Sequence, residues 1–408
     1  MPQYLSPGVY VEEVPPLARP IAGVGTSTAG FIGITPATVK LPAPLKGKPG
    51  KFTSVTITQP TALQPILITS WGQFVKKFGD LIGGEQTSGT EEVAFAVDAG
   101  FRHLAHAVFG FFNNGGTRCW VVRMAADLDI AKALAALAAI DEIAIVAAPG
   151  ITTEAVQEDV LDHCEGLQDR FAVVDGAETA TEFTKTKIQG ATRDSNYGAI
   201  YFPWIKVFDP SEKLMAPSGD GTIYVGPSGH VAGVYARVDT ERGVHKAPAN
   251  EVVRGALDLK YGLTKADQDG LNSLGVNLIR AFNGNVRIWG ARTMGGDANA
   301  EFRYISTRRF FNFLRESIDE GTQWVVFEPN TPALWQRITR SVGDFLLGQW
   351  RGGALFGVTP KQAYFVKCDA DTNPADVREA GQVVTEIGIA IVKPAEFVIF
   401  RIQQITGG

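Results

Sequence analysis

The chain has 408 residues, of which 45% are hydrophobic and 20% charged, and a formal net charge of −5; this is ordinary globular composition with room for about two domains. The acidic balance argues against a generic nucleic-acid binder, whose phosphate contacts need a basic surface, and no stretch approaches the roughly 20 apolar residues of a membrane helix. Cys119, Cys164 and Cys368 stand singly, which suggests neither a disulfide framework nor a thiolate metal site, and Met1-Pro2-Gln3-Tyr4 lacks the basic start and apolar run of a secretory signal, so a reducing cytoplasm is the expected place of synthesis.

The first predicted element is a β-prone run up to Val14, carrying Val9, Tyr10, Val11 and Glu12 between Pro7-Gly8 and the breaker Pro15-Pro16; it reads as a strand on a tether. A Gly-rich stretch, residues 23–30, leads into the apolar strand Phe31-Ile32-Gly33-Ile34, where a globular domain begins. Residues 41–50 are rich in proline, glycine and lysine and are followed by Val55-Thr56-Ile57-Thr58, so 41–60 reads as a surface loop or hairpin insertion. An α/β rhythm then settles: strand 66–68, helix 71–78, a longer helix 91–109, strand 119–123, an Ala/Leu-rich helix 130–137, strand 143–148, helix 154–167 and strand 171–174. Such alternation implies a largely parallel sheet with helices on its faces.

Past Pro203 proline and glycine become frequent up to Pro248, which reads as an inter-domain crossover. The second domain is predicted to hold helices 302–318 and 332–349 and strands 324–327 and 364–367. In the later helix Trp335, Ile338, Val342, Phe345 and Leu346 share one face, leaving Arg337 and Arg340 elsewhere. The chain ends in another β-prone tail, with Phe397, Val398, Ile399, Phe400, Arg401 and Ile402 at its centre.

Chemistry is harder to find. The glycines at 23, 25 and 30 precede a strand and lack the Gly-Lys-Ser/Thr of a phosphate loop, so a turn role accounts for them better. His103 and His106 are spaced to share a helical face, but no third ligand is spaced nearby; His163 points away from Cys164, and His230 and His245 read as loop residues. Gly226-Pro227-Ser228-Gly229 has the wrong spacing for a nucleophile elbow. No catalytic residue, cofactor or metal site is therefore assigned, and the chain is expected not to be an enzyme. Phe302 to Arg315 carries Arg303, Arg308, Arg309 and Arg315 without an acid, a local patch that suits either an acidic partner or intramolecular ion pairs.

The run Gly229-His230-Val231-Ala232-Gly233-Val234-Tyr235-Ala236-Arg237-Val238-Asp239, followed by Arg242-Gly243-Val244-His245-Lys246-Ala247-Pro248-Ala249-Asn250, resembles the signature of phage tail sheath proteins. The resemblance continues through 271–277, Trp289-Gly290-Ala291-Arg292-Thr293, Arg308-Arg309, Phe327-Glu328-Pro329-Asn330, Lys367-Cys368-Asp369 and Pro394-Ala395-Glu396-Phe397, and the opening Ser6 to Val14 also looks like the family's start. It covers both termini and most of the C-terminal half and is weaker between about 41 and 140. His245 departs from the pattern, where many relatives have tryptophan. The compact length is more similar to the sheaths of extracellular contractile injection systems and bacteriocins than to those of large myophages.

The resemblance implies an α/β (mixed α+β) fold: an outer α/β domain with a mostly parallel sheet, and an inner α+β domain completed by N- and C-terminal β-arms from neighbouring subunits. On this basis residues 1–22 form a linker arm, 23–230 the outer domain, 231–393 the inner domain and 394–408 the C-terminal β-arm. The function implied is a structural one, polymerisation as helically stacked hexameric rings around an inner tube and contraction that drives the tube through an envelope. The partners implied are other copies of the chain, an inner tube protein, and baseplate and tail-terminator or cap proteins, with room for companion sheath isoforms, and neither nucleic acid nor inserted membrane. Assembly in the producing cell's cytoplasm and release as part of a particle follow. The family's tube-gripping helix, which works largely by charge, points to Arg337 and Arg340, with Arg308 and Arg309 second. Two rival readings stand beside it, a nucleotide-dependent α/β enzyme and a static, non-contractile filament protein.

Overall fold

The computed structural model describes residues 20–92, 95–190 and 193–401. The expected N-terminal arm residues Val9, Tyr10, Val11, Glu12 and Val14, and Ile402 of the C-terminal arm, lie outside the described residues. The chain divides into two compact units: a larger one, Val24–Glu316 with the described residues from Val392 onward, and a smaller one, Ser317–Ile391 with the described residues up to Gly23.

In the larger unit the chain runs β1 (Ala29–Ile34), β2 (Thr38–Pro44), β3 (Phe52–Thr58), β4 (Ile66–Ile68), α1 (Trp71–Phe78), α2 (Ala99–Asn113), β5 (Cys119–Met124), α3 (Ile130–Ala138), β6 (Ile145–Ala147), α4 (Glu154–Leu167) and β7 (Phe171–Asp175). It continues through α5 (Lys185–Ile188), β8 (Gly198–Phe202), β9 (Ile205–Phe208), α6 (Pro210–Met215), β10 (Thr222–Val225), α7 (Ser228–Arg242), β11 (Ala256–Leu259), α8 (Lys265–Asn272), β12 (Val276–Phe282) and β13 (Asn285–Ile288). Eight strands make the central sheet, in the order β13-β12-β8-β7-β6-β1-β5-β4. From β12 to β5 every neighbouring pair is parallel, and β13 and β4 flank them antiparallel.

Strands such as Phe171–Asp175, buried at every residue, are the uninterrupted apolar runs that a sheet covered on both faces requires. Alternate residues enter two cores. Phe31, Val121, Ile145 and Val173 pack with α2 and α7, while Ile32, Val122, Val146 and Val174 pack with α3 and α4. The parallel sheet with helices on both faces is as the sequence rhythm implied.

Of the loop and hairpin forms expected for 41–60, the chain takes a hairpin: β2 and β3 pair antiparallel from Thr38–Thr58 to Pro44–Phe52, with Leu41 and Ala43 fully buried. Three expectations for this unit are corrected. The helix expected over 91–109 spans Ala99–Asn113 instead. The proline- and glycine-rich crossover contains α7, buried continuously from Ser228 to Val238, and His230 lies in it and not in a loop. Its glycines serve contact with α2: a Cβ on Gly229 would sit 2.4 Å from the Ala107 Cα, and one on Gly233 would sit 2.4 Å from the Phe111 carbonyl oxygen. Close helix packing thus offsets the roughly 1 kcal/mol that glycine costs in a helix. The expected boundary at 230/231 consequently falls inside a buried helix, and the division lies instead at 316/317.

The chain passes between the units within α9 (Ile305–Thr322). The smaller unit holds α10 (Pro332–Arg351) and an antiparallel pair, β14 (Tyr364–Lys367) with β15 (Glu386–Ile389). Thr331 caps α10 by accepting from the Leu334 N–H, with Pro332 in the first turn, where its missing N–H costs nothing. The apolar face is the one expected: Trp335, Ile338, Val342, Phe345 and Leu346 are all buried. The strand expected at 324–327 is absent. Gln323–Val325 is a single 3-10 turn, and Phe327 takes a positive φ of 66° that no strand accommodates.

Candidate assembly surfaces

At the C-terminal end of β1, where open α/β sheets with a switch in strand order take a nucleotide, the space is filled. The first turn of α2 closes directly on it: a Cβ on Gly100 would lie 1.9 Å from the Ile34 carbonyl oxygen. The Asp98 carboxylate caps that helix by accepting from the Phe101 N–H at 2.8 Å, so its N-terminus presents a carboxylate where a phosphate reader presents free N–H groups. Beside it the Arg123 guanidinium donates to the Thr35 and Pro60 carbonyls at 2.7 and 2.8 Å.

The titratable residues singled out in the sequence are dispersed. His103 meets Trp204 edge to face, while His106 lies 3.1 Å from the Asp209 carboxylate through Nε2. Burial works against charge on Asp209, but hydrogen bonds from His106 and Ser211 outweigh it and hold its carboxyl below the usual range. Burial also keeps His103 and His230 neutral, at about 4 and about 3. Ser228 is no nucleophile: its Oγ and N–H donate to Asp175 at 2.8 and 2.7 Å, tying the start of α7 to the end of β7. Among the described residues no three His, Cys, Asp or Glu side chains are grouped to hold a metal.

The segments that carried the family resemblance converge instead on two ion-pair clusters within the larger unit. In the first, Arg309 donates to Asp239 at 2.9 and 2.6 Å and to the Thr26 carbonyl at 2.9 Å, with its guanidinium 4.7 Å from the Tyr235 ring centroid. Arg308 is also buried, its guanidinium 3.4 Å from the Phe302 centroid and 4.3 Å from that of Tyr197. Both arginines were second candidates for a tube-facing surface, and burial removes them from any such surface. Arg315 likewise donates to Gln168.

The second cluster holds the root of the C-terminal segment. Glu396 Oε1 accepts from Arg292 Nε at 2.9 Å and Asn272 Nδ2 at 2.6 Å, and Oε2 accepts from Arg292 Nη2 at 2.8 Å and the Tyr304 hydroxyl at 3.1 Å. Although burial opposes the charge, Arg292 and Asn272 hold this carboxyl below its ordinary range. Immediately beyond it Phe397, Val398, Ile399 and Phe400 are 69–85% exposed, and neither they nor Arg401 belongs to a strand. Nothing in the sequence marked Glu396 beyond its place in a family motif.

In the smaller unit, β14 and β15 form a sheet of two strands, and among the described residues no third strand pairs with either outer edge. Phe365 and Ile387, which the register places on opposite faces of this pair, are both exposed. On α10, Arg337 is half-exposed and engaged, donating to Glu328 at 3.2 Å with its guanidinium 4.4 Å from the Trp324 centroid. Arg340 is exposed and has no ion pair among the described residues.

Known proteins share this fold. The family model for the phage tail sheath protein central domain matches residues 126–294, and that for the phage tail sheath C-terminal domain matches residues 297–405. A prophage major tail sheath protein of Pseudomonas aeruginosa (strain UCBPP-PA14) is 23% identical over 268 residues; the match takes in 64% of this chain and spans 64% of that relative's length. The sheath of the PVC extracellular contractile injection system, solved in its contracted state, superimposes with a TM-score of 0.72 at 28% identity over 99% of each chain. The helical sheath of the anti-feeding prophage, also contracted, gives a TM-score of 0.71 at 27% identity over 98% of this chain and 99% of its own. With both sheath domain models matched and the fold shared from end to end with two contractile sheaths, the chain belongs to the phage tail sheath protein family.

Proposed function

We propose that this protein is the contractile sheath subunit of a tail-like injection machine, and that it works by polymerising around an inner tube and not by catalysis. The observation that carries the reading is a pair of unmet complements in one chain. Phe397 to Phe400 form an exposed apolar segment in no strand, and the β14–β15 sheet leaves both edges unpaired among the described residues. A strand with free N–H and C=O groups is a template for an incoming segment. Donation of the segment from one copy to the β14–β15 sheet of the next repeats without closing on itself, so it builds a helical lattice. The N-terminal residues Val9, Tyr10, Val11, Glu12 and Val14 serve in the same way.

In this reading the smaller unit faces the tube through α10, and the region from Thr26 to Arg193 faces outward. The extended lattice is templated by the tube and baseplate, and its rings rotate and widen as subunit contacts change, with the donated strands keeping neighbours joined. Bistable interfaces supply the work, so no nucleotide is consumed. The particle is assembled in the producing cell and acts after release. Its partners are further copies of the chain, the tube protein, and baseplate and cap proteins.

Electron microscopy of the chain co-expressed with its tube protein tests this. Hollow helical tubes of two diameters, one extended and one contracted, are expected. A single diameter under every condition would establish a static filament instead.

A further inference from the structure

The chain leaves the smaller unit at Ile391 and from Val392 belongs to the larger one. Its polar attachment there is concentrated on the Glu396 carboxylate, whose four donors match the roughly four lone-pair sites that a carboxylate offers. Charge-assisted and bidentate bonds of this kind are about twice as strong as neutral ones. Among the described residues past this point, up to Arg401, none is in a strand, so Glu396 is the last firmly held residue before the exposed apolar run.

The groups that hold Glu396 are themselves held. Arg292 Nη1 donates to the Asn272 carbonyl and to Asp297 at 3.2 and 2.9 Å. Its main chain is clasped by the buried Asn277 of β12: the Arg292 N–H donates to Asn277 Oδ1 at 2.7 Å, and Asn277 Nδ2 donates to the Arg292 carbonyl at 2.7 Å. The same Nδ2 reaches the Ile200 carbonyl of β8 at 3.2 Å. Gly290 is needed beside it, because a Cβ there would lie 2.7 Å from Asn277 Oδ1. A continuous polar path therefore runs from the root of the segment through Arg292 and Asn277 into β12 and β8, two neighbouring strands of the eight-stranded sheet.

We propose that the Glu396–Arg292 clamp is a mechanical anchor: it fixes the point at which the C-terminal segment leaves the larger unit, so that tension applied to the segment by a second copy of this chain passes into the central sheet. The proposal rests on the strand-donation reading above and adds to it a positioning residue. An ion-paired root resists peeling because its four bonds share one carboxylate and fail together. A root held by apolar contact alone would be released one side chain at a time.

The test compares wild type, Glu396→Gln, Tyr304→Phe and a chain ending at Glu396, each co-expressed with the tube protein. Sheath length is measured by microscopy before and after contraction, and thermal midpoint and hydrogen exchange are measured on the unassembled subunit. Glu396→Gln is expected to lower the thermal midpoint while leaving the subunit folded, to raise exchange around 393–401, and to give sheaths that break on contraction into pieces several-fold shorter than wild type. Tyr304→Phe removes one of the four donors and is expected to shorten them less; it carries the test alone if the Gln variant does not fold. Full-length, unbroken sheaths from both substitutions, with none from the truncated chain, would overturn the anchor and leave strand donation standing. Full-length sheaths from the truncated chain would overturn strand donation itself.

Discussion

Arg309 and Asp239 form a doubly bonded ion pair, at 2.9 and 2.6 Å, between two side chains only 3% and 4% exposed. Removing one partner of such a pair leaves an uncompensated buried charge and costs about 3–5 kcal/mol, whereas replacing both by apolar groups is often neutral. Asp239→Ala is accordingly expected to lower unfolding free energy by about 3–5 kcal/mol in urea titrations. An Arg309→Met, Asp239→Leu double variant should recover much of that loss. Equal losses in the single and double variants would show that the charge pair is not what holds this part of the core.

Glycine in α7 and glycine in α10 should respond oppositely to the same substitution. At Gly229 a methyl group would meet the backbone of Ala107 at 2.4 Å, an overpacking that costs typically about 1–3 kcal/mol. At Gly348, exposed on α10, nothing lies within 4 Å. There Gly→Ala gains about 0.5–1 kcal/mol from helix propensity. Thermal midpoints of Gly229→Ala and Gly348→Ala should therefore move in opposite directions. A shift of the same sign in both would contradict the close α2–α7 contact.

These two helices also show what could be read before folding. Residues 71–78 and 154–167 were legible to the residue, because half of each helix is wet and the apolar period survives. Helix α7 was not legible: buried from Ser228 to Val238, it has no polar side to create a period, and its glycines resemble loop punctuation. The apolar run 324–327 reads as a strand by propensity, but Trp324 is engaged by Arg337 and Phe327 turns the backbone to positive φ. The clamp was hidden for another reason. Asn272 and Glu396 are 124 positions apart, and only the tertiary fold brings these members of separate motifs together.

Acid should weaken the fold as the pH falls below 6.5, through its buried histidines. His103, His163 and His230 are held below their ordinary 6.5, at about 4, 4 and 3, in each case foremost by burial. The unfolded chain takes these protons first, so stability is full above pH 6.5 and declines as the pH falls from 6.5 toward 4. Asp175 acts in the other direction. Burial raises it to about 6, so the folded chain takes its proton first and gains stability as the pH falls from about 6 toward 4. Three groups against one leave a net loss, visible as a falling urea midpoint between pH 7 and 4.5. A flat or rising profile over that interval would mean that the imidazoles are not buried as neutral rings.

If the sheath grips its tube by charge, as proposed, α10 is the remaining candidate, because Arg308 and Arg309 are buried within the chain. Of the two arginines left, Arg337 is tied to Glu328 and Trp324, so reversing its charge would disturb the smaller unit as well as any partner. Arg340 has no such tie among the described residues and is the cleaner probe. One exposed ion pair contributes only about 0.2–1 kcal/mol, but the same contact recurs in every subunit, so a weak pair becomes a firm and still releasable hold. Arg340→Glu should fold with an unchanged thermal midpoint yet give mostly empty, contracted or tube-free sheaths in micrographs. The defect should appear in the wild type only at high salt, where exposed pairs are screened. Extended, tube-filled particles from Arg340→Glu at normal yield would move the tube contact off α10 altogether.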